Sequence, residues 1–290
     1  MPVEFCIVGA GKVGPSLAHL LHEAGWIFVG AADHSMESAK AACQFVGEGE
    51  AASNPAELAS QAKLTLITTP DEAIEDVCGE IAENGGFDAH SIAAHCSGAL
   101  SSDVLEPARA RGAAVGSMHP LQSFATRQQA LRLIPGSCCC VEGDPGAVGV
   151  LTDAAEAIGM ESMSIPTENK SLYHAAAVMA CNYLVALQDA AMELAAESGL
   201  KREVALKAFL PLIQGTVQNL KKLGLTNCLT GPIVRGDVET VRRHLEALED
   251  SRIELARLYR RLGLRTLEIA RRTGRLSEDE LKDLKTVLSE

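Results

Sequence analysis

The 290-residue chain is 47% hydrophobic, 3% aromatic and 22% charged, with a formal net charge of −12. That composition belongs to a globular protein long enough for two cores, and its acidity disfavours nucleic acid and anionic membranes as partners. No N-terminal stretch has the charged start and apolar centre of a secretory signal, and no uninterrupted apolar run reaches membrane-spanning length, so a cytoplasmic protein is expected. The nine cysteines include no CxxC pair, which predicts reduced, packed thiols and no metal.

In chain order, residues 5–8 form a short apolar run predicted to be a buried parallel strand. Gly9-Ala10-Gly11-Lys12-Val13-Gly14 follows, and then Val13, Leu17, Leu20, Leu21 and Ala24 recur at helical spacing before Gly25. In such a turn Gly9 lets the chain leave the strand sharply, Gly11 has no Cβ to block approach to a diphosphate, and Gly14 lets the helix lie close to the sheet. Free amides and the positive end of the helix then meet the anion. The next strand, residues 27–32, ends at Asp33. An acid there accepts hydrogen bonds from the adenosine ribose 2′-OH and predicts NAD, while His34 and Lys40 soften repulsion of a 2′-phosphate and leave NADP admissible. The other reading of Asp33 is a cap for the turn into a helix at Ser35.

Further β-type runs at 64–68, 92–95, 114–118, 137–141 and 160–165 alternate with helices, which predicts an α/β, doubly wound parallel sheet. Ligands of such sheets lie beyond the carboxyl ends of the strands. Thr69 and Pro70 would border the cofactor there, with Asp71 capping the next helix, while Ser97 and His119 would face the nicotinamide end. His119 is the first choice for proton transfer because imidazole titrates near neutrality. The alternative is a His-Pro turn whose ring bonds a backbone carbonyl. Ser97 could hydrogen-bond the reacting oxygen or nitrogen, His95 reads as structural and Cys96 as a packed thiol.

After Pro166 the β-type runs stop, dividing the chain into a dinucleotide-binding domain (1–165) and an all-helical domain (166–290) with helices at 168–198, 202–223, 238–262 and 277–288. Thr167 and Asp237 are expected N-caps, and Gly199 and Gly224 expected stops. The 168–198 helix is small or apolar nearly all round through Ala175 to Cys181, so it is expected to be buried, partly against a second copy. The prediction is a homodimer through the helical domain; the alternative is a monomer whose helices satisfy one another. Tyr173, His174 and Asn182 are its polar groups, with His174 and Asn182 on one slowly rotating stripe that faces either a ligand or the bundle. In Gly231-Pro232-Ile233-Val234-Arg235-Gly236-Asp237, Arg235 is suited to gripping a substrate carboxylate, or else it pairs with Asp237 or another acid.

These segments, with His95-Cys96-Ser97-Gly98-Ala99-Leu100, Met118-His119-Pro120-Leu121-Gln122-Ser123-Phe124 and Tyr173-His174-Ala175-Ala176-Ala177, resemble over nearly the whole chain the Rossmann-like family with a C-terminal domain of unknown function 2520. That family is similar in design to pyrroline-5-carboxylate reductase and the 6-phosphogluconate and 3-hydroxyacid dehydrogenases. The resemblance implies an N-terminal NAD(P) domain, a helical dimerisation domain and a site between them. Ser97 and His119 follow the order of a serine and a catalytic histidine in prephenate dehydrogenases. The Lys-x-x-x-Asn pair of the hydroxyacid dehydrogenases is missing at Val178 and Asn182, and the segment around Arg235 replaces the Gly/Ser/Thr-rich loop of pyrroline-5-carboxylate reductase. The expected function is an NAD(P)-dependent oxidoreductase acting on a small carboxylate-bearing hydroxy or amino compound, or the matching oxo acid or imine. The rival is a cofactor-binding regulatory dimer without turnover.

Overall fold

The computed structural model describes residues 2–290. Its contacts divide the chain into two units, Met1–Asn182 and Tyr183–Glu290. The first unit runs β1 (Glu4–Val8), α1 (Val13–Glu23), β2 (Ile27–Ala32), α2 (Met36–Val46), β3 (Glu50–Ala52), α3 (Pro55–Ala59), β4 (Leu64–Ile67), α4 (Ile74–Glu83), β5 (Ile92–His95), α5 (Glu106–Arg109), β6 (Ala114–Leu121), α6 (Arg127–Leu133), β7 (Cys138–Gly143), α7 (Pro145–Ala157), β8 (Glu161–Ser164) and α8 (Lys170–Ala180). The strands form one sheet in the order β3-β2-β1-β4-β5-β6-β7-β8. Every pairing is parallel except β6 with β7.

Side chains alternate across a strand, so each strand supplies two cores. Phe5 and Ile7 join Leu17 and Leu21 of α1 and Leu151 of α7 on one face, and Cys6 and Val8 join Leu58 of α3 and Ile74 of α4 on the other. Each fully buried leucine or isoleucine contributes about 1.5–3 kcal/mol. The strand order reverses between β1 and β4, which opens the crevice above the Gly9–Gly14 turn.

Two differences from the sequence expectation bear on function. Strand β6 does not stop at Met118: His119, Pro120 and Leu121 pair with Cys140, Cys139 and Cys138 of the antiparallel β7. Proline, which cannot donate to a ladder, had marked a strand end, whereas His119 sits within regular structure rather than in a turn. The 168–198 helix is also not continuous. A 3-10 turn at Thr167–Asn169 precedes α8, so Thr167 is not an N-cap, and the backbone breaks at Cys181 (φ −115°, ψ −62°) before α9 (Asn182–Glu197).

The second unit holds most of α9, then α10 (Arg202–Asn227), α11 (Val238–Ser251), α12 (Ile253–Arg271) and α13 (Glu278–Ser289). The expected single 238–262 helix is therefore two, parted at Arg252, whose φ of −148° lies outside the helical range. Asp237 caps α11 through the Thr240 amide, Ser277 and Glu280 form a capping box, and Gly224 kinks α10. Val241, Leu245, Leu267, Leu284 and Leu288 make a compact core of α11 to α13, whereas α9 and α10 bury a small cluster of Met192, Ala195 and Ala205 among the described residues.

The burial expected for residues 168–198 is not supplied by the chain's own described residues. Leu172, Met179 and Val185 are 73%, 67% and 70% exposed, and Leu212 and Leu225 of α10 are each 69% exposed. Thr167–Glu197 contains no uninterrupted apolar run of membrane-spanning length, yet by overall length and composition it is long and apolar enough to cross a membrane. Its first helix is nevertheless tied to the sheet by Lys170, as described below, and a buried lysine bonded to strand residues is not a lipid-facing group.

Candidate active site

The glycine turn has the shape its sequence predicts, for three separable reasons. Gly9 has φ +104°, and a Cβ there would lie 2.7 Å from the Thr69 amide nitrogen. Gly14 packs so closely that a Cβ would lie 2.7 Å from the Gly9 carbonyl oxygen, while a Cβ on Gly11 would meet nothing within 4 Å. Two of the glycines are thus demanded by the protein itself, and the third keeps clear the space a diphosphate would occupy. No side chain caps α1 at Lys12. The Thr69 hydroxyl is buried without a hydrogen-bond partner among the described residues, whereas its neighbour Thr68 donates to the Gly9 carbonyl at 2.7 Å. An uncapped helix start, a cleared Cβ position and an orphaned hydroxyl fit a dinucleotide held by Ala10 to Val13, with Thr69 and Pro70 at its edge.

Asp33 takes the turn role that the sequence offered and a second one that it did not. Its carboxylate accepts from the Ser35 amide at 3.0 Å, which is the local turn role, and from the Ala10 amide at 2.7 Å, which ties the end of β2 to the glycine turn. His34 lies 2.9 Å from the same carboxylate with its side chain 96% exposed.

Above the ends of β5 and β6, His119 faces His174 of α8 with ring centroids 6.1 Å apart. His119 Nδ1 shares a 2.9 Å hydrogen bond with the Tyr173 hydroxyl, leaving Nε2 as its other nitrogen. A Cβ on Gly98 would come within 2.6 Å of His174 Nδ1 and 2.8 Å of His119 Nε2, so both nitrogens converge on the one residue that leaves them room. His174 Nδ1 is itself buried and unpartnered among the described residues. These rings open onto a cavity of about 590 Å³ whose walls include Lys12, Val13, Phe124, Val178 and Asn182. His174, Val178 and Asn182 thus line one cavity despite the helix break. A hollow of about 580 Å³ bordered by Lys63, Asp88 and His90 contains none of these groups.

Burial depresses the His119 pKa to about 4, helped by the Lys170 ammonium and by His174. The ring is therefore neutral at neutral pH. With the proton on Nδ1, Nε2 accepts; with the Tyr173 hydroxyl donating to Nδ1, Nε2–H donates. His95 is also held near 4 by burial, and both its nitrogens are engaged, with Ser101 O and Ser97 N, consistent with a structural ring. In both rings the folded state disfavours protonation, so stability is complete above the unfolded value near 6.5 and is lost as pH falls towards 4. Thermal melts of the first unit should show this acid loss, and it should shrink in His95→Gln, which lacks the titration.

Ser97 is more occupied than the sequence suggested. Its hydroxyl donates to Asp71 at 2.8 Å and accepts from the Ala99 and Leu100 amides, which fixes the turn that carries Gly98. Asp71 accordingly holds Ser97. Cys96 is a packed thiol pushed up to about 12 by burial. Arg235 is exposed in a 3-10 turn of the second unit (Ile233–Arg235), and Asp237 spends its carboxylate on Thr240. No group of three or more metal-ligating side chains occurs among the described residues.

The sequence reading passed over Lys170. It is 1% exposed, donates to Ser117 Oγ at 2.6 Å and lies 3.8 Å from the buried Glu142, which holds the Ser102 amide and hydroxyl. Burial lowers its pKa, against the pull of Glu142. Lys170 joins α8, and with it Tyr173 and His174, to β6 and β7. Its signal was a lone lysine opening a helix of small residues, four positions before a histidine.

Residues 2–120 match a Rossmann-like domain and residues 137–266 the domain of unknown function DUF2520. No curated protein matches the sequence. Among solved structures, protein TM1727 from Thermotoga maritima is 25% identical with a TM-score of 0.76, over 93% of this chain and 100% of that one. A candidate NADP oxidoreductase, BF3122 from Bacteroides fragilis, is 24% identical with a TM-score of 0.69, over 93% and 98%. A reductive aminase from Aspergillus terreus, in complex with NADPH and ethyl-5-oxohexanoate, is 15% identical with a TM-score of 0.62, over 100% and 93%.

Proposed function

For a chain that joins a Rossmann-like domain to a DUF2520 domain, we propose an NAD(P)-dependent oxidoreductase working between a small carboxylate-bearing hydroxy or amino compound and its oxo acid or imine. The observation that carries this reading is the cleared space over Gly11 together with a cavity lined by Lys12 and Val13 of the same turn and by His119 and His174. When bound, the nicotinamide supplies or takes the hydride. The amides of Gly11 to Val13 hold the diphosphate beside Ala10, Asp33 meets the ribose, and Thr69 and Pro70 border the nucleotide. His119 Nε2 donates a hydrogen bond to the carbonyl or imine in reduction and accepts the proton in oxidation, while Tyr173 at Nδ1 serves either tautomer. His174 and Asn182 orient the reacting group, and Ser97 keeps the Gly98 turn in place. Similarity to a reductive aminase with NADPH and an oxo ester supports the reductive side.

Loss of reduced-nicotinamide absorbance is the direct test, with NADH and NADPH offered against a panel of oxo acids and cyclic imines. Consumption with at least one substrate is expected; tight binding without consumption across the panel would contradict the assignment. Gly11→Val separates binding from folding. Its Cβ would meet nothing within 4 Å, so melting should change by only about 1–2 °C while nucleotide affinity falls by about 100-fold. A fall in stability without loss of affinity would contradict the cradle.

The working unit is a homodimer. The exposed apolar side chains of α9 and α10, among them Val185, Leu212 and Leu225, form a surface of the kind that marks an association site in a soluble protein. Light scattering should give twice the 30.6 kDa chain mass. Leu212→Glu together with Val185→Glu should shift the mass towards one chain, and a wild-type monomer at micromolar concentration would refute the assembly.

A further inference from the structure

Arg127 stands beside the glycine turn without belonging to it in sequence. From the start of α6, its Nε donates to the Gly11 carbonyl at 2.9 Å and its Nη2 to the Ala10 carbonyl at 2.6 Å. The guanidinium carbon lies 5.6 Å from the centroid of the Phe45 ring of α2, which gives the planar cation an apolar seat. Among the described residues no carboxylate forms an ion pair with it, although the chain carries 38 acidic residues. Two of the five guanidinium N–H groups are used by the loop.

The charge around the turn calls for such a group. Asp33 places a carboxylate on the Ala10 amide, and the Ala10 and Gly11 carbonyl oxygens add negative ends of their own. A phosphate arriving at the remaining amides would meet all three. Arg127 masks the two carbonyls, and its remaining N–H groups can meet a phosphate oxygen. We propose that Arg127 binds a phosphate group of the dinucleotide, acting as a cationic strap across the glycine turn. This rests on the dinucleotide reading above. The shared chemistry is a phosphate oxyanion, and its source is either the diphosphate or the 2′-phosphate of NADP.

The test titrates NADH and NADPH into wild type, Arg127→Gln and Arg127→Lys at two salt concentrations, with melting temperature recorded for each. In Arg127→Gln, affinity for at least one nucleotide should fall by about tenfold or more while the protein stays folded. The salt dependence of binding should flatten as one charge contact is lost, and Arg127→Lys should recover part of both. Equal loss for both nucleotides assigns the strap to the diphosphate; loss confined to NADPH assigns it to the 2′-phosphate. Affinities within about twofold of wild type for both nucleotides would overturn the proposal. So would a loss that lysine does not relieve and that leaves the salt dependence unchanged, since that describes a staple of the loop alone. Wild type binding neither nucleotide would bring down the dinucleotide reading and the strap with it, whereas binding unaffected by Arg127→Gln brings down only the strap.

Discussion

His119→Ala is expected to lower turnover by about 10²- to 10⁴-fold while nucleotide affinity stays within about threefold of wild type. The split follows from position. His119 lies at the end of β6 on the cavity wall, whereas the proposed nucleotide contacts are the amides after β1. The wild-type pH profile adds a second readout. Because burial holds the ring near 4, the accepting form exists throughout the neutral range, so oxidative kcat/KM should show no acid limb from His119 until pH falls towards that value. Single-turnover kinetics at saturating nucleotide checks both statements. Unchanged turnover in His119→Ala would remove the ring from the chemistry, and a limb near 6.5 that vanishes with the ring would contradict its burial. Tyr173→Phe retains the ring packing and loses only the bond at Nδ1, so it should cost less than His119→Ala.

Lys170→Met is expected to cost about 3–5 kcal/mol of stability, because it removes one partner of a buried ionic pair and leaves the Glu142 charge in the sheet without its cation. For a folding unit of this size that corresponds to a fall in melting temperature of about 10 °C. Glu142→Gln in the same background should restore part of the loss, since a neutral amide still serves Ser102 without stranding a charge. Calorimetric melts of the two variants decide the matter. A single variant as stable as wild type would mean that α8 does not depend on this anchor, and then the placing of Tyr173 and His174 against β6 would need another cause.

The glycine turn, the end of β2 and the strand ends at Thr69 and Ser97 were legible because their signals are local: a positive φ, an uncapped helix start, a polar residue after an apolar run. His119 was legible as a residue but not as part of a strand, because the antiparallel partner that extends β6 lies 21 positions on at Cys140, beyond any periodicity in its own segment. The break at Cys181 was hidden because small residues on every side give no preferred face from which to read a helix end. Lys170 and Arg127 share another reason. Each acts through a distant contact, with Ser117 and Glu142 in one case and with Ala10 and Gly11 in the other, and a single charged side chain between polar neighbours looks like a solvated one until the fold closes over it. Ser97 was legible as the polar residue that follows β5, yet the grip of Asp71 on its hydroxyl could not be read from residues 26 positions apart.

All of this depends on a dinucleotide lying across the turn after β1. A crystal structure of the protein grown with NADPH tests that most directly. The diphosphate should lie against the amides of Gly11 to Val13, with the nicotinamide reaching the cavity wall at His119. Density for the nucleotide elsewhere, or a turn that stays closed to it at saturating concentration, would contradict the assignment.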